Sequence, residues 1–149
     1  MKLHTTNYQN TFIEIAEDCP IQMGEIPPLR GDKKSVANLQ YEMVHAYPYK
    51  FTSDDVLFGV FAQRNEFIYD KLAEERAKFF SKGHPCFRSS PLTKRYGWGV
   101  HSNEEGKIAI FGAETAEYQK FLADPSLQKV KAVRSSRKMI PARGSFTQT

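Results

Sequence analysis

The chain has 149 residues, of which 40% are hydrophobic and 13% aromatic, and this composition excludes a wholly disordered protein and supports a single domain with its own core. Two distant cysteines, Cys19 and Cys86, exclude a disulfide framework and a zinc knuckle, and the longest apolar run, residues 56–62, is far below the roughly 20 residues of a membrane-spanning helix. The formal net charge of +4 is concentrated near the carboxyl end. The polar start contains no signal-peptide stretch, so we expect a reduced, cytoplasmic protein with no membrane association.

The first half of the chain predicts one strand and three helices. Residues 11–16 are short and β-branched and predict a strand, whereas the five prolines and glycines of residues 17–34 predict a long irregular segment. Ser35 predicts the cap of a helix whose apolar residues recur at helical spacing until Pro48. A second helix is predicted after the capping residues 52–55, and a third over residues 66–82, before Gly83.

The second half predicts a β-hairpin and an edge strand. Residues 97–101 and 107–112 flank a turn-rich cluster, which is typical of a hairpin. A short helix over residues 114–122 and a strand of alternating basic and aliphatic residues, 129–134, follow. We therefore expect one α+β domain over residues 1–149: a mainly antiparallel sheet of about four strands, covered on one face by about four helices, with a basic tail from about residue 135.

Residues 86–111 contain the strongest candidate for a binding site. Ser90 and Pro91 predict a helix start, whose free N–H groups can hold a phosphate or carboxylate. Gly97 and Gly99 would let a ligand approach the backbone. The predicted ligand-binding residues are Arg88, Ser89, Ser90, Lys94, Arg95, Trp98 and His101. The alternative interpretation is a capped turn whose cations face water, with Trp98 in the core.

A second hypothesis makes the protein an enzyme that uses Cys86 with His84 or His101 in the same pocket. A thiolate beside an imidazole is a common activated nucleophile. The sequence offers no third group to orient such a pair, and a free cysteine more often behaves as a small apolar side chain. No metal site is predicted, and the sequence identifies no cofactor.

The basic carboxyl-terminal region supports a third hypothesis, weak association with nucleic acid. Residues 125–149 contain six cations and no carboxylate side chain: Lys129, Lys131, Arg134, Arg137, Lys138 and Arg143. A pI near 9.0 is low for a dedicated nucleic-acid-binding protein, so a solvated edge strand and terminus is the preferred interpretation. Across these hypotheses, the expected partner is a small anionic ligand at residues 86–111. A second copy of the chain is also expected, with the aromatic-rich helices as the contact.

Five segments of the chain are distinctive: HTTNY at residues 4–8, YE at 41–42, TSDDV at 52–56, RSSPL at 88–92 and RYGWG at 95–99. On these segments the sequence resembles a family of short bacterial proteins classed as a domain of unknown function, and the resemblance covers most of the chain. It implies a bacterial, cytoplasmic origin. It implies no activity and no catalytic residue.

Overall fold

The computed structural model describes residues 3–135, in which nine regular elements alternate with long connections. They are β1 (Thr11–Glu14), α1 (Val36–Ala46), α2 (Ser53–Arg64), α3 (Leu72–Phe79), α4 (Pro91–Lys94), β2 (Trp98–Ser102), β3 (Ile108–Gly112), α5 (Ala116–Ala123) and β4 (Gln128–Lys131). Two 3₁₀ turns, Tyr69–Lys71 and Phe87–Ser89, precede α3 and α4. No helix in this part of the chain has the length and apolar character needed to cross a membrane.

The four strands form one sheet in the order β3-β2-β1-β4. Strands β1, β2 and β3 pair antiparallel, while β4 runs parallel to β1 along the other edge. This arrangement confirms the predicted α+β class, the four strands, the hairpin of β2 and β3, and the edge position of β4. The parallel pair completes a mixed sheet in which the amino-terminal strand is central.

The sheet has helices on both faces, whereas we expected them on one. Ile13 pairs with Val100, and both belong to the core cluster that also contains side chains of α1, α2 and α4. Phe12 pairs with His101 on the opposite face, and the ring of Phe121 in α5 stacks on both. Helix α5 therefore forms a second, smaller aromatic layer behind the sheet.

The two longest helices begin at capping boxes. Ser35 Oγ accepts the Asn38 N–H at 3.2 Å, and Thr52 Oγ1 accepts the Asp55 N–H at 3.1 Å, while each N3 side chain bonds back to the backbone of the cap. The predicted starts of both helices are confirmed. These caps satisfy amides that would otherwise lack partners at the helix ends.

The third helix is shorter than predicted, because the backbone reverses before it begins. Glu66 has a positive φ of 54°, and Ile68 is extended, so the chain re-enters a helical conformation only at the Tyr69–Lys71 turn. Ile68 and Tyr69 are 63% and 86% exposed, so these two residues do not face the core. Within α3, Glu74 and Lys78 form an ion pair one turn apart, at 3.6 Å.

The amino-terminal segment is fastened to the start of α2 through one carboxylate. Asp54 is 9% exposed and accepts hydrogen bonds from Thr5 Oγ1 at 2.6 Å and from both the backbone N and Oγ1 of Thr6 at 2.7 Å. In return, Asn7 Oδ1 accepts the Asp54 N–H at 2.9 Å. Two segments that carried the resemblance, residues 4–8 and 52–56, thus form one polar latch.

Candidate ligand-binding site

Arg88 lies at the outer edge of β4, where two hydrogen bonds hold it. It occupies the Phe87–Ser89 turn, which is anchored in the core by the fully buried ring of Phe87. The Arg88 carbonyl accepts the Val133 N–H at 2.7 Å, and the Arg88 Nε donates to the Lys131 carbonyl, also at 2.7 Å. The guanidinium is therefore oriented before any ligand arrives.

Three cations line one open cleft of about 350 Å³ beside this edge. We call it the Arg88 cleft, and its lining consists of Glu17, Arg88, Lys131, Ala132, Val133 and Arg134. Glu17 pairs with Arg134 at 3.0 Å, and Glu14 reaches Lys131 from the neighbouring strand at 3.5 Å. The cleft thus has an excess of positive charge and two carboxylates that hold its cations in place.

The phenol of Tyr8 lies near the Arg88 side chain and contacts the thiol of Cys86. The Tyr8 hydroxyl and Cys86 Sγ are 3.4 Å apart. Burial raises the pKa of Tyr8, and the hydrogen bond to Cys86 raises it further, while the positive charge of Arg88 acts in the opposite direction. The hydroxyl and the thiol are therefore partners of each other, and one of their two hydrogens is used in this bond.

Ser90 caps α4, and its hydroxyl is engaged in both directions. Its Oγ accepts the Leu92 N–H at 3.0 Å and donates its own proton to Gln40 Oε1 at 2.6 Å. Ser90 is 4% exposed, and the neighbouring Thr93 is fully buried. The predicted cap is confirmed, and the hydroxyl connects α4 to α1 inside the molecule.

The other predicted residues of this turn lie apart from the Arg88 cleft. Ser89 is partly buried in the 3₁₀ turn, Lys94 ends α4, and Arg95 is its exposed C-cap. None of these three side chains lines the cleft. Arg88 is the one member of the predicted set that the cleft contains.

Trp98 and His101 lie on opposite faces of the sheet. Trp98 faces α1, where its ring centroid is 5.5 Å from that of Tyr41, and its indole N–H donates to the Glu25 carbonyl at 2.8 Å. The backbone space beside it is filled by the chain itself, because a Cβ at Gly97 would lie 2.3 Å from the Met23 carbonyl oxygen. Trp98 therefore joins the irregular segment and α1 to the sheet.

His101 lies in the aromatic layer under α5. Its Nδ1 is 2.8 Å from the Tyr49 hydroxyl, and its ring stacks on Phe121 with centroids 4.3 Å apart. Burial lowers the pKa of His101, and the Asp124 carboxylate partly opposes this change. Sequence reasoning missed this Tyr49–His101 pair, because Tyr49 has a positive φ of 60° and reaches the sheet through a turn without a motif.

No hydrogen bond joins Cys86, His84 and His101 to one another. His84 stacks on Phe79 with centroids 3.7 Å apart, and its Nε2 is 2.6 Å from the Phe79 carbonyl oxygen. Cys86 has Tyr8 as its partner, and His101 has Tyr49. Within residues 3–135, no group of three or more histidines, cysteines and carboxylates is arranged to hold a metal ion.

The described part of the basic region is built into the sheet edge. Lys129 and Lys131 belong to β4, and Arg134 pairs with Glu17. The Lys129 ammonium donates to the Asp124 carbonyl. Arg137, Lys138 and Arg143, with nearly all of the tail predicted from about residue 135, lie outside the described residues.

Comparison with known proteins confirms the resemblance to a family without an activity. The model of DUF6157, described as a family of unknown function, matches residues 3–138 and so spans the sheet, the helices and the Arg88 cleft. No curated protein and no solved structure matches the chain significantly. The bacterial origin that the resemblance implied stays a prediction.

Proposed function

The chain belongs to DUF6157, a family of unknown function, and we propose that it is a binding module for a small anionic or phosphorylated ligand. The site is the Arg88 cleft, and the observation that carries the proposal is the convergence of Arg88, Lys131 and Arg134 on one opening of about 350 Å³. The proposal keeps Arg88 from the sequence-predicted set and adds two cations of the β4 edge.

Electrostatics and geometry both favour an anion with more than one charge. The Arg88 guanidinium is aimed by its bond to the Lys131 carbonyl, and a planar guanidinium suits the paired oxygens of a phosphate or carboxylate. The Glu17–Arg134 pair is well exposed, and exposed ion pairs contribute little free energy. A phosphate can therefore replace Glu17 at Arg134 and gain Arg88 and Lys131 as well.

We place the module in the cytoplasm, where the free thiols of Cys19 and Cys86 stay reduced. Binding needs no cofactor in this proposal. The enzyme hypothesis stays a prediction, and Cys86, His84 and His101 each have a different hydrogen-bond partner. Nucleic-acid association and a homodimer also stay predictions.

Titration with pyrophosphate tests the proposal. We expect saturable binding by isothermal calorimetry, and we expect Arg88→Gln with Arg134→Gln to weaken it at least about tenfold, because each lost charge-assisted hydrogen bond is worth about 1.5–3 kcal/mol. The dissociation constant should also rise between 50 and 200 mM salt, because added salt shortens the Debye length, which is about 10 Å at 0.1 M, and so screens the attraction between the cations and pyrophosphate.

The matched control removes the same charge outside the cleft. Lys94→Gln with Arg95→Gln changes the net charge equally, and its dissociation constant should stay within about twofold of the unmodified chain. Equal weakening by both double variants would mean that pyrophosphate responds to net charge alone, and the Arg88 cleft would not be the site.

A further inference from the structure

A second cavity of about 560 Å³ lies between α1, α2 and the end of α3, on the side of the sheet that faces the main core. We call it the helix pocket, and we propose that it binds a small neutral carbonyl compound with an apolar body. This site is separate from the Arg88 cleft, and it does not depend on anion binding there.

A buried amide at the floor of the helix pocket has an unused hydrogen-bond donor. Gln40 lines the pocket and is 3% exposed. Its Oε1 accepts the Ser90 hydroxyl at 2.6 Å, and no acceptor for its NH₂ group is found among residues 3–135. A buried amide donor without a partner costs about 1–3 kcal/mol, so it marks a place where an acceptor from outside would be stabilised.

The orientation of this amide follows from its neighbour. Ser90 Oγ already accepts the Leu92 N–H, so the hydroxyl proton of Ser90 needs an acceptor of its own. Gln40 Oε1 is that acceptor, so the NH₂ group is the end of the amide that is not bonded to Ser90. The pocket therefore presents a donor at its floor, which selects an acceptor on the ligand.

The walls of the helix pocket are apolar. Val36, Leu57, Val60, Phe61 and Phe79 line it, while Arg64 and His84 contribute to the remaining lining. Phe61, although large and apolar, remains 37% exposed. Such a combination, apolar walls with a few placed polar groups in a volume of about 300–1,000 Å³, is typical of small-molecule sites.

The buried donor decides the chemical class of the ligand. The cation of the lining, Arg64, is exposed to solvent, so the group that meets a buried ligand atom is the neutral Gln40 amide. This amide alone cannot compensate the desolvation of a carboxylate or phosphate, whereas it suits a ketone, ester or amide oxygen. Apolar walls then select a hydrocarbon or aromatic body for the rest of the molecule. The groove on the other side of α2 lacks this feature, because its Asp55 and Arg76 already pair with each other at 3.0 Å.

Acetophenone and toluene form a probe pair that tests the inference. Both have an aromatic body, and only acetophenone has a carbonyl acceptor. In ¹H–¹⁵N NMR titrations of the full chain, we expect acetophenone to move the Gln40 side-chain NH₂ resonances saturably and to bind roughly three- to tenfold more tightly than toluene. Absence of a saturable shift at Gln40 would overturn the proposal.

Two variants separate the donor from the pocket. Gln40→Met removes the amide and should reduce acetophenone binding to the level of toluene, with toluene binding itself unchanged. Leu57→Trp fills the pocket, leaves the Gln40–Ser90 hydrogen bond in place, and should abolish binding of both probes. If Leu57→Trp, verified as folded by its melting transition, still binds acetophenone with the original affinity, the ligand lies elsewhere and the proposal is wrong.

Discussion

At the scale of single residues, polar side chains of this domain that look like candidates for chemistry prove to be engaged in internal hydrogen bonds. Ser90 connects α4 with α1 through Gln40, and Asp54 connects the amino-terminal segment with α2. Neither role is visible in the local sequence, because each partner is more than 45 positions away. Ser90 as a cap was predictable, since capping depends only on the next few residues.

His101 makes the stability of the protein depend on pH. Because burial lowers its pKa below the ordinary value of about 6.5, the unfolded chain takes up a proton at a higher pH than the folded chain does. His101 therefore gives its full contribution to stability above pH 6.5, and the contribution decreases as the pH falls below that value. We expect the midpoint of urea unfolding to decrease from pH 7.5 to pH 5.5.

The variant His101→Gln should show a smaller decrease over the same range, because glutamine stays neutral and retains an acceptor for the Tyr49 hydroxyl. The matched control is His45→Gln, which alters an exposed histidine and should keep the original pH dependence. Identical pH dependence in the unmodified chain and in His101→Gln would contradict the assignment of this effect to His101.

At the scale of elements, the helix starts and the hairpin were predictable, and the packing of α5 was not. Capping residues and turn clusters act within a few positions, so Ser35, Thr52 and the turn between β2 and β3 predicted boundaries that the structure confirms. Helix α5 has apolar residues on one side, but periodicity alone does not say which face of a sheet they cover. The stacking of Phe121 on Phe12 and His101 places α5 on the face opposite the main core.

Gly99 permits the close approach of α5 to the sheet. A Cβ at this position would lie 2.6 Å from both Phe12 Cζ and Tyr118 Cε2, which is closer than side chains tolerate. We expect Gly99→Ala to lower the free energy of unfolding by about 1–3 kcal/mol, because extra volume in a packed layer forces side chains or backbone to move.

Urea unfolding followed by far-UV circular dichroism measures this cost. Gly83→Ala is the matched control, since a Cβ there would meet only His4 Nδ1 at 3.7 Å, and φ at Gly83 is not in the left-handed range. Its stability should remain within about 0.5 kcal/mol of the original. If Gly99→Ala leaves the free energy of unfolding unchanged, α5 can move away from the sheet without loss of stability, and the prediction is wrong.

At the scale of the whole molecule, the chain is closed by contacts between distant segments. The central strand β1 pairs with β2 on one side and with β4 on the other, so the sheet joins the beginning of the described chain to its end. The polar latch at Asp54 adds the amino-terminal segment to α2, and His4 N donates to the Phe80 carbonyl at 2.9 Å. These contacts make the fold depend on its amino-terminal residues.

Replacement of the latch carboxylate should therefore destabilise the entire domain. Asp54→Asn removes the charge and puts an N–H₂ group where an oxygen accepted hydrogen bonds from Thr5 or Thr6, and we expect a loss of about 2–3 kcal/mol. Chemical denaturation should show a lower midpoint with an unchanged m-value.

The exposed Asp32→Asn serves as the charge-matched control and should leave the midpoint unchanged within error. If Asp54→Asn shifts the midpoint no more than Asp32→Asn does, the amino-terminal latch contributes nothing to global stability, and its hydrogen bonds only replace those with water.

The candidate site illustrates the same division between local and distant information. Arg88 was selected from the sequence as a candidate ligand-binding residue, because a cation next to a helix start is a local pattern, and its role in binding stays a prediction. Lys131 and Arg134 were recognised only as members of a basic region, since nothing in the chain between them and Arg88 indicates that they share a cleft. Gln40 had no sequence signal, as one glutamine in a helix is unremarkable until its burial and its unused donor are known.

The sequence by itself determined the α+β class, the four strands and the caps of the main helices, because composition, periodicity and capping act over short distances. Its resemblance to a family without a known activity was also evident from the sequence, and the family model confirms it. Only the tertiary structure decided which residues meet: the parallel pairing of β4 with β1, α5 on the second face, Arg88 with the β4 cations, and Gln40 at the floor of the helix pocket. These contacts depend on how segments tens of residues apart pack together, and local sequence patterns do not determine that packing.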